Sequence, residues 1–278
     1  MMMNVCLNLI FKNMAIFFCA MFFASHAIAN SLMMATTTST DNTGFLDYIA
    51  PFFENQTGII LKWTATGTGK ALKLGQSCDV DVLFVHAPKA EKKYIENGYG
   101  KNKRQVMYND FVIIGHKNDP AKIKNMNISK AFGLIKEKKV VFVSRGDNSG
   151  TNKKEKLLWQ YAGINMPDKE KWYVQTGQGM LATINIAMQK NGYTMTDRGT
   201  YIKYQSINAN KDILQILVEN DKILLNQYSI LTLNPKNCPN AKYNLALKFS
   251  DWMTSKNTQK LIKEFKLLGK ELFIPNAK

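Results

Sequence analysis

The stretch of this chain best equipped for chemistry is Arg145-Gly146-Asp147-Asn148-Ser149-Gly150-Thr151. It follows the apolar run at 140–143, which reads as a buried strand, and precedes 153–162, whose apolar spacing is helical. A strand that turns through Gly and Ser into a helix leaves backbone N–H groups unpaired at the helix start. Those donors and the helix dipole favour an anion. Arg145 adds a permanently charged fork suited to an oxyanion, and Ser149, Gly150 and Thr151 add donors that carry no charge of their own. The plainer alternative is an ordinary strand–helix turn with Ser149 as its N-cap.

Three more donor-rich turns stand between a strand and a helix. They are Thr36-Thr37-Thr38-Ser39-Thr40, Thr66-Gly67-Thr68-Gly69 and Thr176-Gly177-Gln178-Gly179. In open α/β sheets such strand ends are where ligands bind. Convergence of the four turns would create an anion site of N–H and O–H groups with one arginine, avoiding several buried charges.

Catalysis finds little support. The histidines are His26, His86 and His116, and neither C-x-x-C nor H-x-x-x-H spacing occurs, so no metal-cation site or cofactor is expected. Glu54, Glu91, Glu96 and Asp110 read as structural or surface acids rather than an acid–base pair. The formal charge is +16, but it comes mostly from lysine spread along the chain, and there are only three arginines. That is a solvated basic surface which attracts small anions, not a nucleic-acid stripe. Trp63, Trp159, Trp172 and Trp252 sit in apolar patterns and read as packing.

Residues 1–29 have the form of a secretory signal peptide, with Lys12, an apolar run at 14–23 and Ala27-Ile28-Ala29 before the cut. Its removal takes away Lys12, Cys6 and Cys19, so the net charge becomes +15 (+16 minus one) and Cys78 and Cys238 remain. In an oxidising compartment these two can pair, an expectation left open by the spacing alone. The 249 residues from 30 to 278 suit one or two α/β domains. Strands are expected at 32–35, 59–64, 80–85, 110–115, 140–143, 172–174, 223–225 and 229–233. Helices are expected at 43–56, 70–75, 90–97, 122–135, 153–162, 180–191, 213–218, 244–253 and 257–266.

Taken in order, the motifs resemble the periplasmic tungstate-binding proteins of ABC transporters. The resemblance is carried by the turns at 36–40 and 145–151, Gly67-Thr68-Gly69-Lys70-Ala71-Leu72, and Asp79-Val80-Asp81-Val82 with Val85-His86-Ala87-Pro88. Tyr108-Asn109-Asp110-Phe111-Val112-Ile113-Ile114-Gly115, Lys154, Glu155, Leu158, Trp159, Gly179-Met180, the segment 193–201 and Asn234-Pro235 complete it. It implies an α/β, two-lobed (type II) periplasmic binding protein, each lobe a mainly parallel sheet flanked by helices. Residues 30–112 with 230–278 would form one lobe and 113–229 the other, with crossings at 108–115 and 225–233 and the ligand in the cleft. The implied role is a monomeric periplasmic protein that captures tungstate and delivers it to a membrane permease. The implied contacts are Thr37, Thr38, Ser39 and Thr68 from one lobe and Arg145, Ser149, Gly150 and Thr151 from the other, with Asp147 holding Arg145 and His86 in support. Cys78 and Cys238 depart from the family pattern.

Molybdate and phosphate are the rival ligands. Phosphate carries a proton at neutral pH and needs an acceptor carboxylate. The phosphate-binding relatives place an Asp just after the strand at 80–85, where this chain has His86. A fully ionised oxyanion needs donors only. Asp147 and Asp41 remain as alternative acceptors, and His86 is expected either to donate to the anion or to pack on the neighbouring turn.

Overall fold

The computed structural model describes residues 30–208 and 214–278. The expected signal peptide at 1–29, and Ile213 at the start of one expected helix, lie outside these. Ser31–Lys278 forms one compact unit.

Three strand–helix units open the described residues. β1 (Asn30–Thr37) passes through the short α1 (Thr38–Asp41) into α2 (Phe45–Thr57), then β2 (Ile59–Thr66) leads to α3 (Thr68–Gln76) and β3 (Val82–Val85) to α4 (Pro88–Glu96). β1 and β3 pair in parallel, Met34 opposite Val82 and Thr36 opposite Phe84. Parallel neighbours bring the C-terminal ends of β1 and β3 side by side, so Thr37 and His86 arrive at one edge of the sheet.

β4 (Gly100–Gly115) then organises the molecule. Its first half pairs antiparallel with β9 (Leu225–Leu233), from Gly100 opposite Leu233 to Asp110 opposite Leu225. Its last residues pair with β7 (Thr194–Asp197) and β8 (Gln215–Val218). The principal sheet runs β2-β1-β3-β9-β4-β12, where β12 is Ile274–Pro275. Further along the chain lie α5 (Ile128–Glu137), β5 (Phe142–Ser144), α6 (Gly150–Tyr161), β6 (Tyr173–Gln175), α7 (Met180–Gln189) and α8 (Arg198–Ile207). After β9 come α9 (Tyr243–Met253), α10 (Lys256–Glu264) and the small hairpin β10 (Lys266–Leu267) and β11 (Lys270–Glu271).

Apolar side chains collect in separate cores along β4. Val106 and Met107 join a cluster with Leu32, Phe45, Phe84 and Tyr228, while Ala35, Leu83 and Leu231 pack together under α3. Farther along the same strand, Phe111 and Ile113 enter a core built on Phe132, Phe142 and Trp159, and Val112 and Ile114 face Val143, Ile184 and Tyr201. α8 contributes to both ends: Ile202 belongs to the cluster of Phe45, whereas Tyr201 and Tyr204 belong to that of Val112.

The sheet is mixed rather than mainly parallel. β1–β3 and β5–β6 are parallel, but β9, β7 and β8 all run antiparallel to β4. A chain that crosses out along β4 and returns along β9 lays those strands head to tail. Most expected elements are present within a few residues, and the following differ. Residues 213–218, expected to be helical, give the strand Gln215–Val218, whose β-branched and apolar side chains fit a sheet edge better than a helix. Residues 223–225 contain a 3-10 turn at Lys222–Leu224 before β9 begins. The helix expected at 122–135 starts only at Ile128, where the Asn127 side chain caps it by accepting from Lys130 N–H. The polar first half of β4 and the helix α8 were not expected; the former is held by pairing with β9, which overrides its weak strand propensity.

Cys78 and Cys238 form a disulfide with Cα atoms 5.4 Å apart, joining the end of α3 to the segment before α9. Native protein should therefore yield no alkylatable thiol at either position. Replacing both by Ser should lower unfolding free energy by about 2–5 kcal/mol, measured by urea unfolding.

Candidate functional site

At the ends of β1 and β3, His86 is the centre of a hydrogen-bond network. Its Nε2 lies 2.9 Å from Thr37 Oγ1 and 3.0 Å from Ser39 Oγ. Its Nδ1 lies 2.8 Å from Asn226 Oδ1, and Asn226 Nδ2 donates to Asn109 Oδ1 at 2.8 Å. Asn109 and Asn226 are register partners in the β4–β9 ladder. The ring stacks on Tyr228 with centroids 4.6 Å apart. Burial holds the imidazole below its ordinary pKa, against smaller upward pulls from Asn226 and from Asp197. Thr37 also caps α1, its oxygen accepting from Thr40 N–H at 3.3 Å. Packing on the neighbouring turn is therefore the observed arrangement of His86, and the turn in question is the one that supplies Thr37 and Ser39.

The second cluster follows β5. Ser149 is the N-cap of α6, its oxygen accepting from Asn152 N–H at 3.3 Å, so the plainer capping role is real. Its hydroxyl also reaches the Asp147 carboxylate. Gly150 and Thr151 open the helix, where N–H groups have no partner within it. Arg145 Nη2 donates to Asp147 Oδ2 at 2.5 Å, and Asp147 Oδ1 accepts from Ser149 N–H at 3.1 Å. Hydrogen bonds and the Arg145 charge hold the Asp147 carboxyl below the usual range, outweighing its partial burial. Asp147 thus fixes the guanidinium in place. Arg145 Nε is buried and has no hydrogen-bond partner, and an orphaned donor of that kind costs about 1–3 kcal/mol unless a ligand meets it. The turn at 176–179 docks against this one: Gly177 N–H and Thr176 Oγ1 both donate to the Arg145 carbonyl, at 2.8 and 3.3 Å.

Beneath the arginine turn lies a support that motif spacing did not reveal. Glu155, buried on α6, accepts from Ser144 Oγ (2.5 Å), Trp159 Nε1 (3.1 Å) and Tyr173 Oη (2.6 Å). Ser144 Oγ in turn accepts from Gly146 N–H and Asn152 Nδ2, both at 3.2 Å, and Asn152 Oδ1 accepts from Asn148 N–H. The signal available was an acid at the helical spacing of Glu155 and Trp159 on an otherwise apolar face. Burial raises the Glu155 carboxyl above its usual value.

Both alternative acceptor acids are committed elsewhere. Asp147 serves Arg145, and Asp41 Oδ1 accepts from Trp63 Nε1 at 2.7 Å. Thr68 is the first residue of α3 behind the cap residue Gly67. The hydrogen bonds thus gather Thr37, Ser39 and His86 at one place and Arg145, Asp147, Ser149 and Thr176 at another. Thr38 opens α1, and the backbone strands β4 and β9 connect the two clusters through Asn109, Asn226 and the Lys154 ammonium, which donates to Leu225 O at 3.3 Å. Among the described residues no group of His, Cys, Asp and Glu has the arrangement of a metal-cation site.

Two strand-end clusters of donors on a mixed α/β frame fit a transport solute-binding protein, and comparison with known proteins points to the same class. A family model described as "PBP superfamily domain" matches residues 24–257. The chain is 51% identical over 240 residues to the tungstate-binding protein TupA of Campylobacter jejuni, covering 86% of this chain and 89% of that one. Among solved structures, the TupA tungstate-binding protein of Desulfovibrio alaskensis superposes with a TM-score of 0.88 at 61% identity, covering 90% of this chain and all of that one. A structure described as the tungstate ABC transporter from Geobacter sulfurreducens gives 0.72 at 45%, covering 84% and 98%. The chain belongs to the periplasmic-binding-protein superfamily and, within it, to the family of the TupA proteins.

Glu155→Gln puts an amide where three donors meet. It should cost about 2 kcal/mol of stability, the scale of a broken buried charged hydrogen bond, measured by thermal or urea unfolding.

Proposed function

We propose that this chain is an extracytoplasmic solute-binding protein that captures a fully ionised tetrahedral oxyanion, tungstate in the first place and molybdate as its near twin, and passes it to an ABC transporter permease. Carrying the proposal is the buried, unpartnered Nε of Arg145 in a turn whose own acid, Asp147, is already spent on the same guanidinium. A donor set without a free acceptor suits a dianion and leaves the P–O–H of hydrogen phosphate unmatched. The names of the TupA relatives support tungstate over phosphate. Tungstate and molybdate have nearly equal size and charge, so preference between them rests on those relatives.

In this proposal Thr37, Thr38, Ser39 and Thr68 contact the anion from one lobe, made of residues 30–112 and 230–278. Arg145, Ser149, Gly150 and Thr151 contact it from the other, 113–229. The separate cores along β4 support such a division, and Ile202 of α8 reaches from the second into the core of the first. Closure over the anion then offers the permease a face that the open form lacks. The protein acts as a periplasmic monomer released by its signal peptide; no helix among the described residues is long and apolar enough to cross a membrane.

Titration calorimetry of anion-stripped protein with tungstate, molybdate, sulfate and phosphate should give one-to-one binding of tungstate and no heat from phosphate. Arg145→Ala should weaken tungstate binding by at least about 2 kcal/mol. An unchanged affinity would remove Arg145 from the site, and binding of phosphate alone would reverse the choice of anion.

A further inference from the structure

We propose that His86 is a positioning residue that takes up one proton as the anion binds, turning the hydroxyl of Thr37 or Ser39 that meets the imidazole toward the anion. The proposal rests on the oxyanion reading above and concerns how one half of that site is armed.

It follows from counting hydrogens. Asn226 Nδ2 donates to Asn109 Oδ1, so Asn226 presents Oδ1 to the ring, and His86 Nδ1 must carry a hydrogen to meet it. In the neutral imidazole Nε2 is then a lone-pair acceptor, with two hydroxyl oxygens at 2.9 and 3.0 Å. One lone pair takes one hydrogen, so either Thr37 or Ser39 points its O–H at the ring and not at a ligand. Thr37 has little freedom otherwise, because its oxygen also accepts from Thr40 N–H and lies 2.7 Å from Thr40 Oγ1 and 3.1 Å from Ser39 Oγ. Protonation at Nε2 reverses the direction of the bond. The ring then donates to the hydroxyl oxygens, the hydroxyl hydrogen that met it is released, and a positive charge stands behind it. The anion gains one O–H donor and a cation, and the ring keeps no acceptor lone pair, which disfavours a protonated anion.

The surroundings allow both states. Desolvation and stacking on Tyr228 favour the neutral ring; Asp197, where β7 meets α8, is the acid whose field favours the charged one. Tyr228 is itself pushed upward by burial and stays neutral. A dianion beside Thr37 and Ser39 would add a far stronger pull in the direction of Asp197.

The test is tungstate calorimetry at one pH in two buffers of different protonation enthalpy, repeated between about pH 7 and 9. The wild type should take up close to one proton per anion, and its Kd should rise with pH by up to about tenfold per unit. His86→Gln, which cannot titrate, should bind more weakly with heat independent of buffer. Buffer-independent heat and a flat Kd in the wild type would overturn the proposal while leaving oxyanion binding intact. Proton uptake persisting in His86→Gln would overturn it too, by assigning the proton to another group. Absence of binding to any oxyanion would instead remove the reading on which it rests. The wild-type pH series decides alone if the variant does not fold.

Discussion

A doubly charged anion taken out of water has to be met by donors that are already aimed, because each charge buried without partners costs several kcal/mol. Much of this molecule is arranged around that constraint. Donors are cheap where strands end and helices begin, since the backbone leaves N–H groups there and Ser or Thr can cap with an oxygen while keeping a hydrogen free. Thr37 and Ser149 both cap their helices with the side-chain oxygen. The Arg145 guanidinium is immobilised by its own aspartate, which leaves that turn neither a mobile cation nor a free carboxylate.

Aim depends on support from below. The arginine turn stands on Ser144, Asn152 and the triply bonded Glu155, a buried polar cluster in which every member has a partner. The opposite turn stands on His86, and through Asn226 and Asn109 on the β4–β9 ladder. That ladder is the same element by which the chain passes from one set of cores to the other. A shift along it would be felt at His86 through two hydrogen bonds, so the crossing strands and the hydroxyl turn are mechanically continuous.

Much of this was legible in the residues. The donor-rich turns and their helices stand out because Gly, Ser and Thr between an apolar run and a helical pattern have few other uses, and those elements fall close to their expected positions. The Cys78–Cys238 bond was open from the spacing and is present. What stayed hidden was set by distant partners. The first half of β4 is polar and becomes a strand by pairing with β9; Gln215–Val218 is a short apolar run that fits strand or helix until β4 lies beside it. The helix α8 had a readable start, since Asp197 caps it by accepting from Thr200 N–H at 2.9 Å, but its role in both sets of cores is tertiary. Likewise, the position of His86 after a strand was visible, whereas its bond to Asn226, 140 residues away in the chain, was not.

The measurement that bears most directly on the central claim is a crystal structure of the protein grown with tungstate. The account requires a single tungsten atom whose oxygens accept hydrogen bonds of about 2.7–3.2 Å from Arg145 Nε, the first turn of α6 and the hydroxyls of Thr37 and Ser39, with no carboxylate oxygen in contact. Tungstate held by only one of the two clusters, or against Asp147 or Asp41, would contradict it.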